Sequence, residues 1–178
     1  MEKIVQEGKR LQLRQAVEAD LDYITEADHR PGNAEFVMAD TRETHAQLMA
    51  GPDTMQLIVE RKDTREAVGF LLIAGLTSPD KEMEWRRVII DAKGQGYGHE
   101  TMELVEAWAF ETMKFHRAWL DCKDYNARAL HVYEAAGMQR EALLRETILV
   151  NGHYENLVIM AILDREYFAR KKAAEKDA

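Results

Sequence analysis

The segment Val88-Ile89-Ile90-Asp91-Ala92-Lys93-Gly94-Gln95-Gly96-Tyr97-Gly98-His99 decides how this chain is read. An apolar run leads into three alternating glycines, and beyond them Leu104, Val105, Trp108 and Ala109 recur at three- and four-residue spacing. That order predicts a strand, a tight turn and a helix. Glycines let the backbone approach a ligand closely, the first amides of the helix stay free, and the helix dipole adds about half a positive charge. A phosphate or pyrophosphate is the natural guest, with Lys93 at the mouth as a point charge. A Rossmann fingerprint needs G-x-G-x-x-G, but position 99 is His99, and no Walker string G-x-x-x-x-G-K-[ST] occurs. A tight turn without any ligand satisfies the same spacing.

A second group lies downstream, in Asp124 to Met138, with Asn126, Arg128, Ala129, Tyr133, Glu134 and Gly137. Seven residues make nearly two helical turns, so Asn126 and Tyr133 share a face and can present an amide and a phenol to one ligand. His131 is placed off that face, ~200° from Tyr133. A phenol of pKa ~10 can protonate a departing thiolate of pKa ~8.5. A structural tyrosine would instead bury its ring and tether its hydroxyl.

Outward from these groups the pattern alternates between periods of two and 3.6. A strand is predicted over Arg10 to Gln15, a helix from about Asp20, and a second helix capped by Thr41 and ended by Pro52. Met55 to Glu60 and Ala67 to Gly75 read as a hairpin across the charged turn 62–66, and a third strand spans Met83 to Ile90. A strand at Ala118 to Lys123 precedes a helix from Asn126 to Ala136 closed by Gly137. Two last strands meet at Asn151-Gly152, a strong hairpin signal. The whole is predicted as one domain, 1–178, with its core at about 11–163 and a polar helix or tail over 164–178.

Composition narrows the class. The chain has 178 residues, 46% hydrophobic, with 24 Lys+Arg against 32 Asp+Glu for a net charge of −8. Disordered, collagenous and disulfide-scaffold classes are excluded. The acidic balance argues against nucleic-acid or membrane-surface partners and tilts mildly towards cations. A single cysteine and an N-terminus without an apolar run point to a reducing, cytoplasmic setting. Cys122 reads as a small core or edge residue. The six histidines form no ligand pair of metal-site spacing, so no metal is expected.

Taken together, Lys93-x-x-Gly96-x-Gly98 and the helix signature of Asn126, Ala129, Tyr133, Glu134, Gly137 and Met138 resemble the GNAT superfamily of acyl-CoA N-acyltransferases. The likeness runs on through Arg145 and Asn151-Gly152-x-Tyr154, as in the branch of ribosomal-protein N-terminal and spermidine N-acetyltransferases. Lys93 stands where that family usually has Arg or Gln. The resemblance implies an α/β fold with a mixed, largely antiparallel sheet of about seven strands flanked by helices and splayed in the middle. It implies an acetyl-CoA-dependent N-acetyltransferase, with acetyl-CoA as co-substrate and a polyamine, another small amine or a protein N-terminus as acceptor, attacking directly in a ternary complex. A homodimer is compatible with it.

Residue roles follow from the same resemblance. Acetyl-CoA would lie along Val88, Ile89 and Ile90, the loop Lys93, Gly94, Gln95, Gly96, Tyr97, Gly98 and His99, and Asn126. A backbone amide near Ile89 or Ile90 would polarise the thioester carbonyl, and Tyr133 would protonate the sulfur. Glu84 occupies the place of the family's acidic residue, as a base; a solvated edge glutamate is the alternative. Asp28 and Glu35 would suit a cationic acceptor, while His29 and Arg30 pull towards an anionic one. Two rival readings stay open: a non-catalytic acyl-CoA-binding regulatory module, and a nucleotide-binding enzyme that shares only the glycine turn.

Overall fold

The computed structural model describes residues 3–177. In chain order it comprises β1 (Ile4–Glu7), β2 (Leu11–Gln15), α1 (Leu21–His29), α2 (Arg42–Ala50), β3 (Thr54–Arg61), β4 (Ala67–Ala74) and β5 (Glu82–Ile90). Then follow α3 (Tyr97–Ala107), β6 (Arg117–Lys123), α4 (Ala127–Ala135), β7 (Gln139–Val150), β8 (His153–Leu163) and α5 (Asp164–Asp177). The strands form a single sheet in the order β1-β2-β3-β4-β5-β6-β8-β7. All pairs are antiparallel except β5 with β6.

The sheet has eight strands, where about seven were expected. The extra one, β1, is four residues long, half exposed and broken by a register shift after Ile4, so its sequence carries too little alternation to read as a strand. The predicted helix after the glycine turn is also shorter in α-form. It passes into a π-helical turn over Trp108–Thr112 that buries Trp108, Ala109 and Phe110.

Each face of the sheet has its own core. On one side Leu57, Leu71, Ile73, Met83 and Trp85 pack with Met102, Leu104, Val105 and Trp108, so the apolar stripe of α3 covers the centre. On the other, Ile58, Phe70, Leu72 and Ile89 meet Ile24 and Ala27 of α1, with Leu48 and Met49 of α2 at the edge. That second core stops at β5. The same face of β6 and β8 is left open beside it.

Several local choices follow the sequence closely. The Thr41 hydroxyl accepts the Thr44 amide at 3.2 Å as the cap of α2, a bond whose loss typically costs ~1 kcal/mol. Gly137 sits at φ +90° after α4, and Asn151 and Gly152 take φ +49° and +83° in the β7–β8 turn. The polar C-terminal segment is a helix rather than a tail. It is held to α3 and its π turn by Arg170 on Glu106, by Tyr167 on Glu111, and by Lys171 on Glu111 at 2.7 Å.

The feature that makes a site is where β5 meets β6. The two pair in parallel only at Glu82–Arg117, Met83–Ala118 and Glu84–Trp119. Beyond those positions they part, and a register shift in the β4–β5 ladder falls at Arg86. The sheet is thus splayed in its middle, next to the glycine turn.

Candidate active site

The splay opens into a cleft of about 600 Å³ that passes from the α3–α4 side of the sheet to the α1–α2 side. Its floor is Val88, Ile89 and Ile90, its far wall Asp121, Cys122 and Lys123, and α4 contributes Asn126, Ala129 and Tyr133. The Asp91 amide donates to the Val68 carbonyl at 2.8 Å, and the Ile89 carbonyl lies against Gly69 of β4. Peptide groups alternate in direction along a strand, so those of Val88 and Ile90 point into the gap that β6 has left.

At one end the glycine turn forms a seat for an anion. Gly94 and Gly96 take φ +78° and +75°, conformations a side chain resists, and Gly96 caps α3 with no side-chain partner for the first amides of the helix. Arg10 braces the loop from beneath: its guanidinium donates to the Gln95 carbonyl at 2.9 Å and to Glu100 at 2.8 Å, and it lies over the Tyr97 ring. Gln95 contributes its carbonyl to this brace and is not part of the cleft wall. Gly98, Tyr97 and His99 line the opening.

Lys93 stands at the mouth, but as a strut as well as a charge. Its ammonium donates to the Gly32 carbonyl and to Asn33 Oδ1, both at 2.9 Å, tying the loop after α1 to the glycine turn. Burial lowers its pKa, and the nearby Arg128 cation lowers it further. Two cations therefore stand together beside the glycine turn of an acidic protein. Asp91 completes the junction, accepting from Tyr23, Arg30 and Asn33 at 2.6–2.9 Å.

Asn126 and Tyr133 meet in the cleft as their spacing predicts. Asn126 Oδ1 caps α4 by accepting the Ala129 amide at 3.3 Å, which leaves its NH2 group for the cleft. Tyr133 is buried, and burial, with the Cys122 thiol and Asp121 carboxylate close by, pushes its phenol well above the ordinary range. It stays protonated at neutral pH. Cys122 is buried and its thiol is pushed up to about 12, chiefly by burial, so it is no nucleophile here. His131 also lines the cleft, edge-on to His99 at 6.3 Å between ring centroids, because the helix rim rather than its Tyr133 face reaches the opening.

The other end is walled by Phe36, Val37 and Met38 of the loop after α1 and by Arg86, Arg87, Asp121, Ile148 and Leu157. Glu84 sits at the last paired position of β5, bound to Arg86 at 2.8 Å and outside the cleft wall. Glu35 is exposed on the loop; its carbonyl accepts from Lys123 Nζ at 2.7 Å. Asp28 is fully buried beneath that loop, 3.1 Å from His45 and 3.4 Å from Arg87, and cannot reach an acceptor. Asp28, Asp40 and His45 bring ligand-type atoms within 4.8 Å of one another, but Arg87 already pairs with both carboxylates.

Sequence reading passed over Arg86, Arg87, Asp121 and Lys123, all of which line the cleft. One signal was available: Asp121 is a lone acid in the apolar stretch Ala118-Trp119-Leu120-Asp121-Cys122 of a central strand. Among the described residues, no helix is long and apolar enough to cross a membrane.

Comparison with known proteins agrees with this architecture. The chain is similar to the spermidine N(1)-acetyltransferase of Escherichia coli K12, 21% identical over 170 residues that cover 91% of this chain and 90% of that one. A stretch of 71 residues is 32% identical to a probable N-acetyltransferase of Bacillus subtilis, over 40% of this chain and 39% of the other. The fold matches that of a spermidine N-acetyltransferase from Vibrio cholerae, solved in complex with CoA and spermine, with a TM-score of 0.81 at 20% identity over 90% and 99% of the two chains. It also matches a probable GNAT-family acetyltransferase from Chromobacterium violaceum, with a TM-score of 0.80 at 20% identity over 94% and 89%. The model of the acetyltransferase (GNAT) domain matches residues 10–139, and so the chain belongs to the GNAT family and is an acetyl-CoA-dependent N-acetyltransferase.

Proposed function

We propose that this enzyme acetylates a primary amine of a small cation, of the polyamine class, and that the splayed cleft is where donor and acceptor meet. What carries the reading is one channel that joins a cation-flanked glycine turn to a second mouth containing a carboxylate. A spermidine acetyltransferase is among the relatives matched over nine-tenths of the chain, which supports a polyamine over a protein N-terminus. Acetyl-CoA fits the residues present: free amides at the start of α3 and the Lys93–Arg128 pair suit its phosphates, and unpaired peptide groups of β5 suit its amide-bearing arm.

In this reading acetyl-CoA supplies an activated acyl group, and the chain does the rest. The amides of Tyr97, Gly98 and His99 hold the pyrophosphate, and the gap-facing peptide groups of Val88 and Ile90 align the arm. The Ile90 amide is aimed where negative charge grows on the carbonyl oxygen. Tyr133, kept protonated by its surroundings, gives its proton to the leaving sulfur. A carboxylate of the acceptor mouth must take the proton an alkylammonium sheds before it can attack, with Glu84 and Asp121 the acids nearest. Glu35 adds negative charge at the rim. An oligomer fits as well, since β7 is an exposed edge strand with Leu143, Leu144 and Leu149 uncovered.

The test combines thermal unfolding with acetyl-CoA, CoA, NADH and ATP and a thiol-release assay over a panel of amines. A ligand at 100 times its dissociation constant stabilises by ~2.7 kcal/mol, a clear melting shift. Stabilisation by acetyl-CoA and CoA alone, with CoA released on adding a polyamine, is expected. Binding without release by any amine would favour a regulatory acyl-CoA-binding module.

A further inference from the structure

We infer that Asp121, rather than Glu84, is the catalytic residue that receives the proton of the acceptor ammonium. The inference rests on the amine-acetylating reading above and deepens it.

Strand alternation sets the face that Asp121 occupies. On β6, Ala118, Leu120 and Cys122 belong to the core under α3, so Trp119, Asp121 and Lys123 point to the opposite face. Glu84 pairs with Trp119 and shares that face, which is also the side of the loop after α1. Asp121 lies two residues further along, where β5 has already departed. Its carboxylate therefore stands in the cleft wall while Glu84 stays at the closed end of the splay.

Each of the neighbouring charged groups is already committed. Arg86 holds Glu84 at 2.8 Å. Arg87 is 3.4 Å from Asp28 and 3.1 Å from Asp40. Lys123, on β6 beyond Asp121, is bound to Glu155 at 2.9 Å. The strand on the other side offers only Ile159 opposite Asp121, flanked on the same face by Leu157 and Ala161. Tyr133 of α4 lies on the Cys122 side of the strand and feels the Asp121 charge across the cleft, and the loop after α1 brings the uncharged Phe36, Val37 and Met38 to the acceptor end. Asp121 is thus the cleft carboxylate to which no described residue donates a hydrogen bond or pairs as a cation. Asp121 is exposed towards the cleft, and partial desolvation raises its pKa, with the Glu84 charge raising it further against the opposing pull of Arg87 and Arg86. An acid so placed is a better base than an ordinary aspartate.

The proton balance is simple. The Asp121 carboxylate accepts one proton from the ammonium and later releases it to solvent. The neutral amine attacks the thioester carbonyl, the C–N bond forms and the C–S bond breaks. The Tyr133 hydroxyl protonates the sulfur and is restored by the second proton shed from nitrogen. One proton is released for each amide made.

The experiment compares the wild type with Asp121→Asn on two acceptors, a polyamine and an arylamine that is already neutral at pH 7. For the polyamine, kcat/KM should fall on the order of 10²–10³-fold at pH 7, with a deficit that shrinks ~10-fold per pH unit towards the amine's own pKa. The arylamine should lose less than ~3-fold, since it needs no base before attack. The melting shift given by acetyl-CoA monitors folding and donor binding of the variant. Glu84→Gln is an independent readout with Asp121 intact: the acidic limb of its kcat/KM profile should move to lower pH. Equal losses on both acceptors, a pH-independent loss, or an unmoved acidic limb in Glu84→Gln would overturn the assignment while leaving the enzyme an amine acetyltransferase. A wild type that acetylates neither amine overturns the reading on which it rests, and this assignment with it.

Discussion

Gly69 offers a test of the sheet geometry from the strand behind the cleft floor. It lies on β4 opposite Ile90, and a Cβ built on it would fall 2.2 Å from the Ile89 carbonyl oxygen and 3.1 Å from Ile90 Cα. Real Cβ contacts almost never fall under 3.0 Å, and 3.0 less 2.2 requires at least ~0.8 Å of movement. The obstacle is backbone, so no rotamer change relieves it. Overpacking of this kind costs ~1–3 kcal/mol, and the lost flexibility of glycine in the unfolded chain returns ~0.4–1 kcal/mol. With the middle of each range, Gly69→Ala should therefore lose about 1.3 kcal/mol, or ~3–5 °C in Tm for a chain of this size. It should also push Val88 to Ile90 towards the gap. A displacement approaching 1 Å at a reacting site costs ~10–100-fold in turnover. The assays are a melting curve and steady-state thiol release at saturating acetyl-CoA. A variant that melts within ~1 °C of wild type and turns over normally would show slack between β4 and β5 and refute the argument.

Three further outcomes are expected. Tyr133→Phe should lower kcat ~10²-fold or more while the acetyl-CoA dissociation constant changes little, measured by stopped-assay turnover and calorimetry; equal kcat would remove the phenol from the mechanism. A Cβ at Gly98 would meet only Val132, at 3.6 Å, so Gly98→Ala should leave Tm nearly unchanged yet weaken acetyl-CoA binding ~10-fold or more by narrowing the pyrophosphate seat. Glu106 is fully buried beneath Arg170, and burial, aided by Glu103 and opposed by Arg170, pushes its carboxyl from 4.5 up to about 7. Between those values the native state holds the extra proton, so stability should fall as pH rises through the window, by up to on the order of 3 kcal/mol. Glu106→Gln should flatten that slope in melting curves taken from pH 4.5 to 7.

What sequence made legible was local. The glycine turn and the Asn126–Tyr133 helix are each contained in fewer than about fifteen residues, and backbone rules alone fix their shape. The cap at Thr41 and the Asn151-Gly152 hairpin belong to the same class. The acceptor mouth was not legible in this way. It is assembled from a loop after α1, the bulge at Arg86, and β6, residues up to 88 positions apart, as in the Lys123–Glu35 bond. Asp28 illustrates the difficulty: at the end of α1 it reads as a surface acid suited to a cation, but Arg87 from β5 and His45 from α2 enclose it. The strand β1 went unread because a short, half-exposed edge has almost no pattern to find.

The narrow seam between β5 and β6 has a further consequence, for how the protein assembles. β1 to β5 form an unbroken antiparallel meander from residues 4–90, and β6 to β8 a smaller unit from 117–163. Within the meander every pairing joins strands consecutive in the chain, although all of α1 and α2 lies between β2 and β3. The seam joins strands separated by all of α3, through three paired positions. It is therefore the most thinly paired junction between interior strands of the sheet, and the cleft exists only once it has closed. Destabilising changes anywhere in the chain should strike this junction first, so that activity is lost while most secondary structure remains.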